Sequence, residues 1–253
     1  MNPIKIAITY GGKEINDKEK ELQSRTKLPI VNRTQLSADF VDGFLYYSSQ
    51  GLRIELVSKI SQGPLSVSFN TLEKRARDSL FGQNLIKALG INKGRRPKIL
   101  DATAGFGTDS FLIACTGSEV SLFERNTIVF ELLQDGLVRY SLIGAKEKRI
   151  ASRMRLYHMD FNDIELNKWT PDVVYLDPMF PSSSKSSLSK KPMYYMQKIL
   201  SGKTDESCMF EMALKIAKKR VVVKRRANSP EISKRKVDFV YKGNSNRFDV
   251  YLI

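Results

Sequence analysis

Between Lys98 and Asp177 four short apolar runs, KILD, EVSLFE, MRLYHMD and DVVYLD, each end on an acidic residue. Helix-forming stretches, one from Thr108 towards Cys115 and one reading NTIVFELLQDGLVRYSL, separate the first three. Strands joined through helices must run parallel, and parallel strands lie buried between layers of helix. The pattern therefore predicts a parallel α/β sheet whose acids gather at one edge, where open sheets of this kind bind ligands. Further on, a helix from about Asp205 to Lys218 leads into the strand RVVVKR, and KVDFVYKG with NRFDVYLI reads as a closing hairpin. The expected sheet thus has seven strands, mainly parallel, with an antiparallel C-terminal hairpin that a simple dinucleotide fold lacks.

Before this lies a separate pattern. IKIAIT, GFLYYSS and LRIELVS read as strands and NDKEKELQ as a helix, so residues 1–65 are expected to form a small N-terminal α/β lobe and residues 66–253 the main domain. The stretch TLEKRARDSLFGQNLIKALGI carries apolar residues at near-helical spacing, with at least one helix ending near Gly90. Lys and Arg number 42 against 27 Asp and Glu, a net charge of +15 that attracts polyanions, with nucleic acid the first partner to consider. The two cysteines, Cys115 and Cys208, cannot form a disulfide framework and lie in no metal-binding spacing, so no metal is expected. No leader pattern and no apolar run of about 20 residues stands in the chain, which predicts a cytoplasmic protein without a membrane segment.

The turn LDATAGFGTD places Asp101 at a strand end and Gly105 and Gly107 before a helix, where missing Cβ atoms let a ligand approach the backbone. Thr108 and Asp109 follow, and the Asp109 charge would repel a diphosphate; an amino-acid-bearing cofactor suits the turn better. Glu124, about 20 residues on, is placed to accept hydrogen bonds from ribose hydroxyls. Arg125 beside it either supports the adenosine or faces solvent. Asp160 and Phe161 are placed for the edge and face of an adenine. S-adenosylmethionine matches all three demands, and the fold is then a Rossmann-like class I methyltransferase.

The fourth run ends in Asp177-Pro178-Met179-Phe180-Pro181. Asp-Pro-Met-Phe resembles the Asp/Asn-Pro-Pro-aromatic tetrapeptide of methyltransferases that act on exocyclic base amines. Such an amine is a weak nucleophile because its lone pair is delocalised into the ring. Hydrogen bonds from it to the Asp177 carboxylate and the Pro178 carbonyl would aim it, and Phe180 would stack on the extruded base. Guanine N2, adenine N6 and cytosine N4 all remain open at this point. The lysines after the motif, Lys185, Lys190 and Lys191, together with Lys224 and Arg225 at the end of the fifth strand, are candidates for RNA phosphates. His158, the only histidine, reads as a satisfied side chain and not a catalytic base.

LDATAGFGTDSF, LFERN, VVYLDPMFP with KSSLSKK, KRVVVKR, and the terminal KG and RFDVY together resemble the RsmJ-type methyltransferases, from about Gly63 to Tyr251. In that family Met within DPMFP is part of the pattern. The resemblance implies methylation of the exocyclic N2 amine of a guanine in 16S (small-subunit) ribosomal RNA, with Thr108, Asp109, Glu124, Arg125, Asp160, Phe161 and Asp177 as cofactor contacts. Two competing readings are a non-catalytic RNA-binding or ribosome-assembly protein and a nicotinamide-dependent oxidoreductase. The second must treat Asp109, the closing hairpin and the Asp-Pro-Met-Phe turn as accidents.

Overall fold

The computed structural model describes residues 4–11, 14–35, 41–57, 63–77, 79–178, 191–200 and 205–253. The chain divides into two units, one of Met1–Ser68, Asn126–Arg139 and Ser183–Gly202, the other of Phe69–Arg125, Tyr140–Ser182 and Lys203–Ile253.

The first unit is built on a four-stranded sheet. Strand β1 (Ile6–Tyr10) leads through helix α1 (Asp17–Thr26) to β2 (Ile30–Asn32), and β3 (Gly43–Ser48) turns back into β4 (Gly51–Leu56). The strand order is β2-β1-β3-β4, with β1 parallel to both neighbours and β3 antiparallel to β4. Asn16 starts α1 through a reciprocal cap: its side chain accepts the Glu19 N–H at 3.2 Å while its own N–H donates to Glu19 at 2.9 Å. The three-residue β2 is too short to leave a pattern in the sequence.

The second unit opens with α2 (Asn70–Arg77) and α3 (Asn84–Ala88), then runs through β5 (Ile99–Asp101), α4 (Thr108–Cys115), β6 (Val120–Glu124) and α5 (Thr127–Ser141), most of whose residues belong to the first unit. It continues with α6 (Ala145–Ala151), β7 (Met154–His158) and β8 (Val173–Leu176). After α7 (Lys191–Ile199), which also belongs to the first unit, come α8 (Glu206–Ile216), β9 (Arg220–Arg226), β10 (Phe239–Lys242) and β11 (Asn246–Leu252). Among the described residues these strands form a seven-stranded sheet in the order β10-β11-β9-β8-β5-β6-β7. Strands β5 to β9 are parallel and β11 is antiparallel to both its neighbours, as the sequence pattern predicts. Helices α6 and α7 have no counterpart in the sequence reading; of the residues in α6 only Ile150 is buried, so no apolar period marks it.

Both central strands, β5 and β8, are buried at every residue, because helices cover both faces. Alternation then sorts their side chains. Leu100, Val174, Leu176 and Val223 point towards α8 and pack with Phe210 and Ala213. Asp101, Tyr175 and Lys224 therefore point to the opposite face, where α4 lies. There Phe111 of α4 stacks on Phe69 at 4.9 Å and meets the edge of Tyr140 at 5.2 Å, so α4 is seated firmly beneath the ligand edge.

Candidate active site

Sheet register assembles the site. Asp101 pairs with Tyr175 and Leu176 with Val223, so the residues that follow, Asp177 and Lys224, emerge side by side from neighbouring strands. Asp101 is 2% exposed and braces the glycine turn: one carboxylate oxygen accepts the Thr103 N–H at 3.0 Å, the other the Ser110 hydroxyl at 2.5 Å. The Thr103 hydroxyl in turn accepts the Asp177 N–H at 2.7 Å, tying the turn to the end of β8. Gly105 and Gly107 hold positive φ, 54° and 71°, a region costly for residues with a Cβ. Glu124, buried at the end of β6, accepts the Gly105 N–H at 3.0 Å, so the strand that ends nearby also fixes the turn.

At the centre lies a mixed-charge network. The Lys224 ammonium donates to Asp109 Oδ2 at 2.7 Å and to Asp177 Oδ2 at 2.8 Å, and the Tyr175 hydroxyl donates to Asp109 Oδ2 at 2.7 Å. Burial pushes the Asp101 carboxyl up to about 7, opposed by its Ser110 and Thr103 hydrogen bonds and reinforced by Asp109 and Asp177. Burial and the Asp109 charge also raise Asp177 against the pull of Lys224; its side chain stays 37% exposed, so water tempers the shift. For Lys224, burial works against the charged form, but the Asp177 and Asp109 carboxylates outweigh it and the ammonium is held above its usual range. Burial, with Asp109 and Asp177, keeps the Tyr175 phenol protonated. Two carboxylates, Asp109 and Asp177, thus share a single ammonium, a surplus of negative charge that suits a ligand carrying positive charge.

Thr108 is the first residue of α4 and Asp109 the second, both at the turn. On the far side Arg125 pairs with Asp160 at 3.2 Å, while the other Asp160 oxygen caps the Asn162 N–H at 2.9 Å. His158 is exposed, with Nε2 3.2 Å from the Arg125 carbonyl, a satisfied position.

Two expectations need correction. The Phe161 ring is 1% exposed and packs in the core with Phe123, so it presents no face to an adenine. Arg225 shares its face of β9 with Val221 and Val223, away from Lys224; its guanidinium donates to Glu206 at 2.8 Å and to the Pro230 carbonyl, with the side chain 4% exposed. It braces the sheet against the start of α8 and is not available to a phosphate. Met179, Phe180, Pro181, Lys185 and Lys190 lie outside the described residues, as does the side chain of Lys191. Thr103, Ser110 and Tyr175 were not singled out from sequence, although the parity of Tyr175 with Asp177 and the two-residue step from Asp101 to Thr103 are visible there.

Residues 29–253 match the family model described as "Putative SAM-dependent methyltransferase". The ribosomal RNA small subunit methyltransferase J of Dechloromonas aromatica is 41% identical over 220 residues, 85% of this chain and 88% of that one. The enzyme of the same name from Thioalkalivibrio sulfidiphilus is 34% identical across 100% of this chain and 99% of its own. The chain belongs to the ribosomal RNA small subunit methyltransferase J family. A solved SAM-dependent methyltransferase from Neisseria gonorrhoeae, 28% identical, superposes with a TM-score of 0.72 over 98% of this chain and 95% of that one. The protein is accordingly a methyltransferase of the Rossmann-like class I fold, with S-adenosylmethionine as its cofactor. A sulfonium and an ammonium on that cofactor match the surplus of carboxylates at the crevice. Among the described residues no cluster of acidic, histidine or cysteine side chains is placed to hold a metal ion, and no helix is long and apolar enough to cross a membrane.

Proposed function

We propose that this methyltransferase modifies the exocyclic N2 amine of a guanine in 16S (small-subunit) ribosomal RNA, acting in the cytoplasm. The observation that carries the reading is the position of Asp177-Pro178 at the end of β8, beside the glycine turn and level with Lys224. S-adenosylmethionine, when bound, supplies a methyl group on a sulfonium that is a good leaving group. Glu124 would hold its ribose, Asp160 with Arg125 its adenine, and Thr108, Asp109 and the Gly105 to Gly107 turn its amino-acid end.

The chain's own residues then have separate tasks. The Asp177 carboxylate and the Pro178 carbonyl accept the two N–H bonds of the amine, holding it so that its lone pair projects out of the ring plane. The raised Asp177 carboxyl is also a competent resting place for the proton that the amine must lose. Phe180 stacks on the extruded base, a contact of roughly 1 to 3 kcal/mol, and Lys185, Lys190 and Lys191 meet backbone phosphates. The names of the relatives specify small-subunit ribosomal RNA, and guanine over adenine or cytosine is what the resemblance to the RsmJ-type methyltransferases implies. Labelled methyl transfer to 16S RNA lacking the mark, followed by mass mapping of the product, tests it: methyl on a guanine N2 supports the proposal, and methyl on another atom or none overturns it.

A further inference from the structure

We propose that Lys224 is a positioning residue that holds the Asp177 carboxylate ionised and aimed at the substrate amine, and is not a phosphate contact. The inference rests on the reading of Asp177 as the amine acceptor given above. Lys224 is one residue beyond the last β8–β9 pair, and its ammonium bridges Asp177 Oδ2 and Asp109 Oδ2 at 2.8 and 2.7 Å. A cation spanning two carboxylates at hydrogen-bond distance is committed to them, and its side chain is only 23% exposed. A phosphate drawn into this place would meet Asp109 and Asp177 as well as Lys224.

The bridge does two things for the acceptor. It occupies one Asp177 oxygen, Oδ2, and so leaves Oδ1 as the oxygen that turns to an incoming N–H donor. It also offsets part of the repulsion between Asp177 and Asp109, and Asp109 further accepts the Tyr175 hydroxyl from β8. Among the described residues, the charged and titratable groups facing Asp177 are Lys224 from β9, Asp109 from α4, Tyr175 from its own strand and Asp101 from β5. Only Lys224 among these favours the ionised form. Without it, burial and Asp109 both drive Asp177 towards protonation, and a protonated acid is a weaker acceptor and cannot take the amine proton.

The test compares wild type with Lys224→Met, Lys224→Gln and Lys224→Arg. Loss of an opposite charge at this range moves a carboxyl by about 1 to 3 pH units, and the 37% exposure of Asp177 favours the lower end. The acid limb of kcat against pH should therefore move up by about one unit in Lys224→Met and Lys224→Gln, roughly a tenfold loss of kcat below the limb, and return in Lys224→Arg. Independently of turnover, carboxyl-labelled aspartate spectra should show the Asp177 midpoint rising in the Met and Gln variants. Lysine ammonium spectra of the unsubstituted protein should show Lys224 sensing the Asp177 titration. An unmoved acid limb and Asp177 midpoint, with weaker RNA binding and a flatter salt dependence, would make Lys224 a phosphate contact and overturn the proposal. Absence of methyl transfer by wild type would defeat the functional reading alone, since the two spectroscopic titrations still decide the role of Lys224.

Discussion

Asp101→Asn isolates the electrostatic strain of the ligand edge. The carboxyl, 2% exposed, is raised from the ordinary 3.8 to about 7, first by burial and then by Asp109 and Asp177. A group whose folded pKa lies above its unfolded value binds more protons when folded, so its stabilising contribution is complete below about pH 4 and is lost as pH rises through about 7. At about 1.4 kcal/mol per unit, the wild type should lose roughly 4 kcal/mol at most over that window. Asparagine keeps the acceptor for the Thr103 N–H and offers an N–H to the Ser110 hydroxyl, so it reproduces the neutral acid. Urea unfolding of both proteins at pH 5 and pH 8 measures the difference. The wild type should fall relative to Asp101→Asn by a few kcal/mol between the two, and parallel curves would refute the assignment of a strained, late-ionising carboxyl.

Glu124→Gln should weaken S-adenosylhomocysteine binding about 10- to 100-fold, the range for loss of charge-assisted hydrogen bonds; calorimetry reads it directly. Arg225→Ala should cost about 2 to 3 kcal/mol in thermal or urea unfolding, because it strands the Pro230 carbonyl and the partly buried Glu206. Its RNA binding should keep the wild-type salt dependence, whereas a flattened slope would restore Arg225 as a phosphate contact. Arg247 donates to Asp249 and to the carbonyls of Arg226, Ala227 and Ser229; Arg247→Ala should speed hydrogen exchange over residues 226–230 ahead of global unfolding, and uniform exchange would count against that role.

The strand runs and their terminal acids were legible because central parallel strands must be apolar on both faces and polar where they meet ligand. Asp101, Glu124 and Asp177 follow from that rule; Asp160 does not, since it lies two residues past the end of β7, a partly exposed edge strand. The side taken by Arg225 was not legible: Val221, Val222 and Val223 are all buried, so RVVVKR is apolar on both faces, and only packing against α8 separates Arg225 from Lys224. Phe161 follows an acid in the sequence, yet its ring turns into the core because the 3-10 turn Phe161–Asp163, capped by Asp160, packs beside α8. The Lys224 bridge was not legible at all, since it depends on which strand pairs with β8 and in what register, a contact 47 residues apart along the chain. Helix α6 was missed because its charged surface carries almost no apolar period.

Asp177 is the residue on which the account turns. Purified wild type and Asp177→Asn, each first shown to bind S-adenosylhomocysteine, are incubated with labelled cofactor and unmodified small-subunit RNA, and the methylated nucleotide is mapped by mass. Wild type should place one methyl on a guanine N2 and Asp177→Asn should lose at least about a hundredfold in kcat, the scale of a lost positioning and proton-accepting group. Full activity in Asp177→Asn, or a methyl on any atom other than a guanine N2, would contradict it.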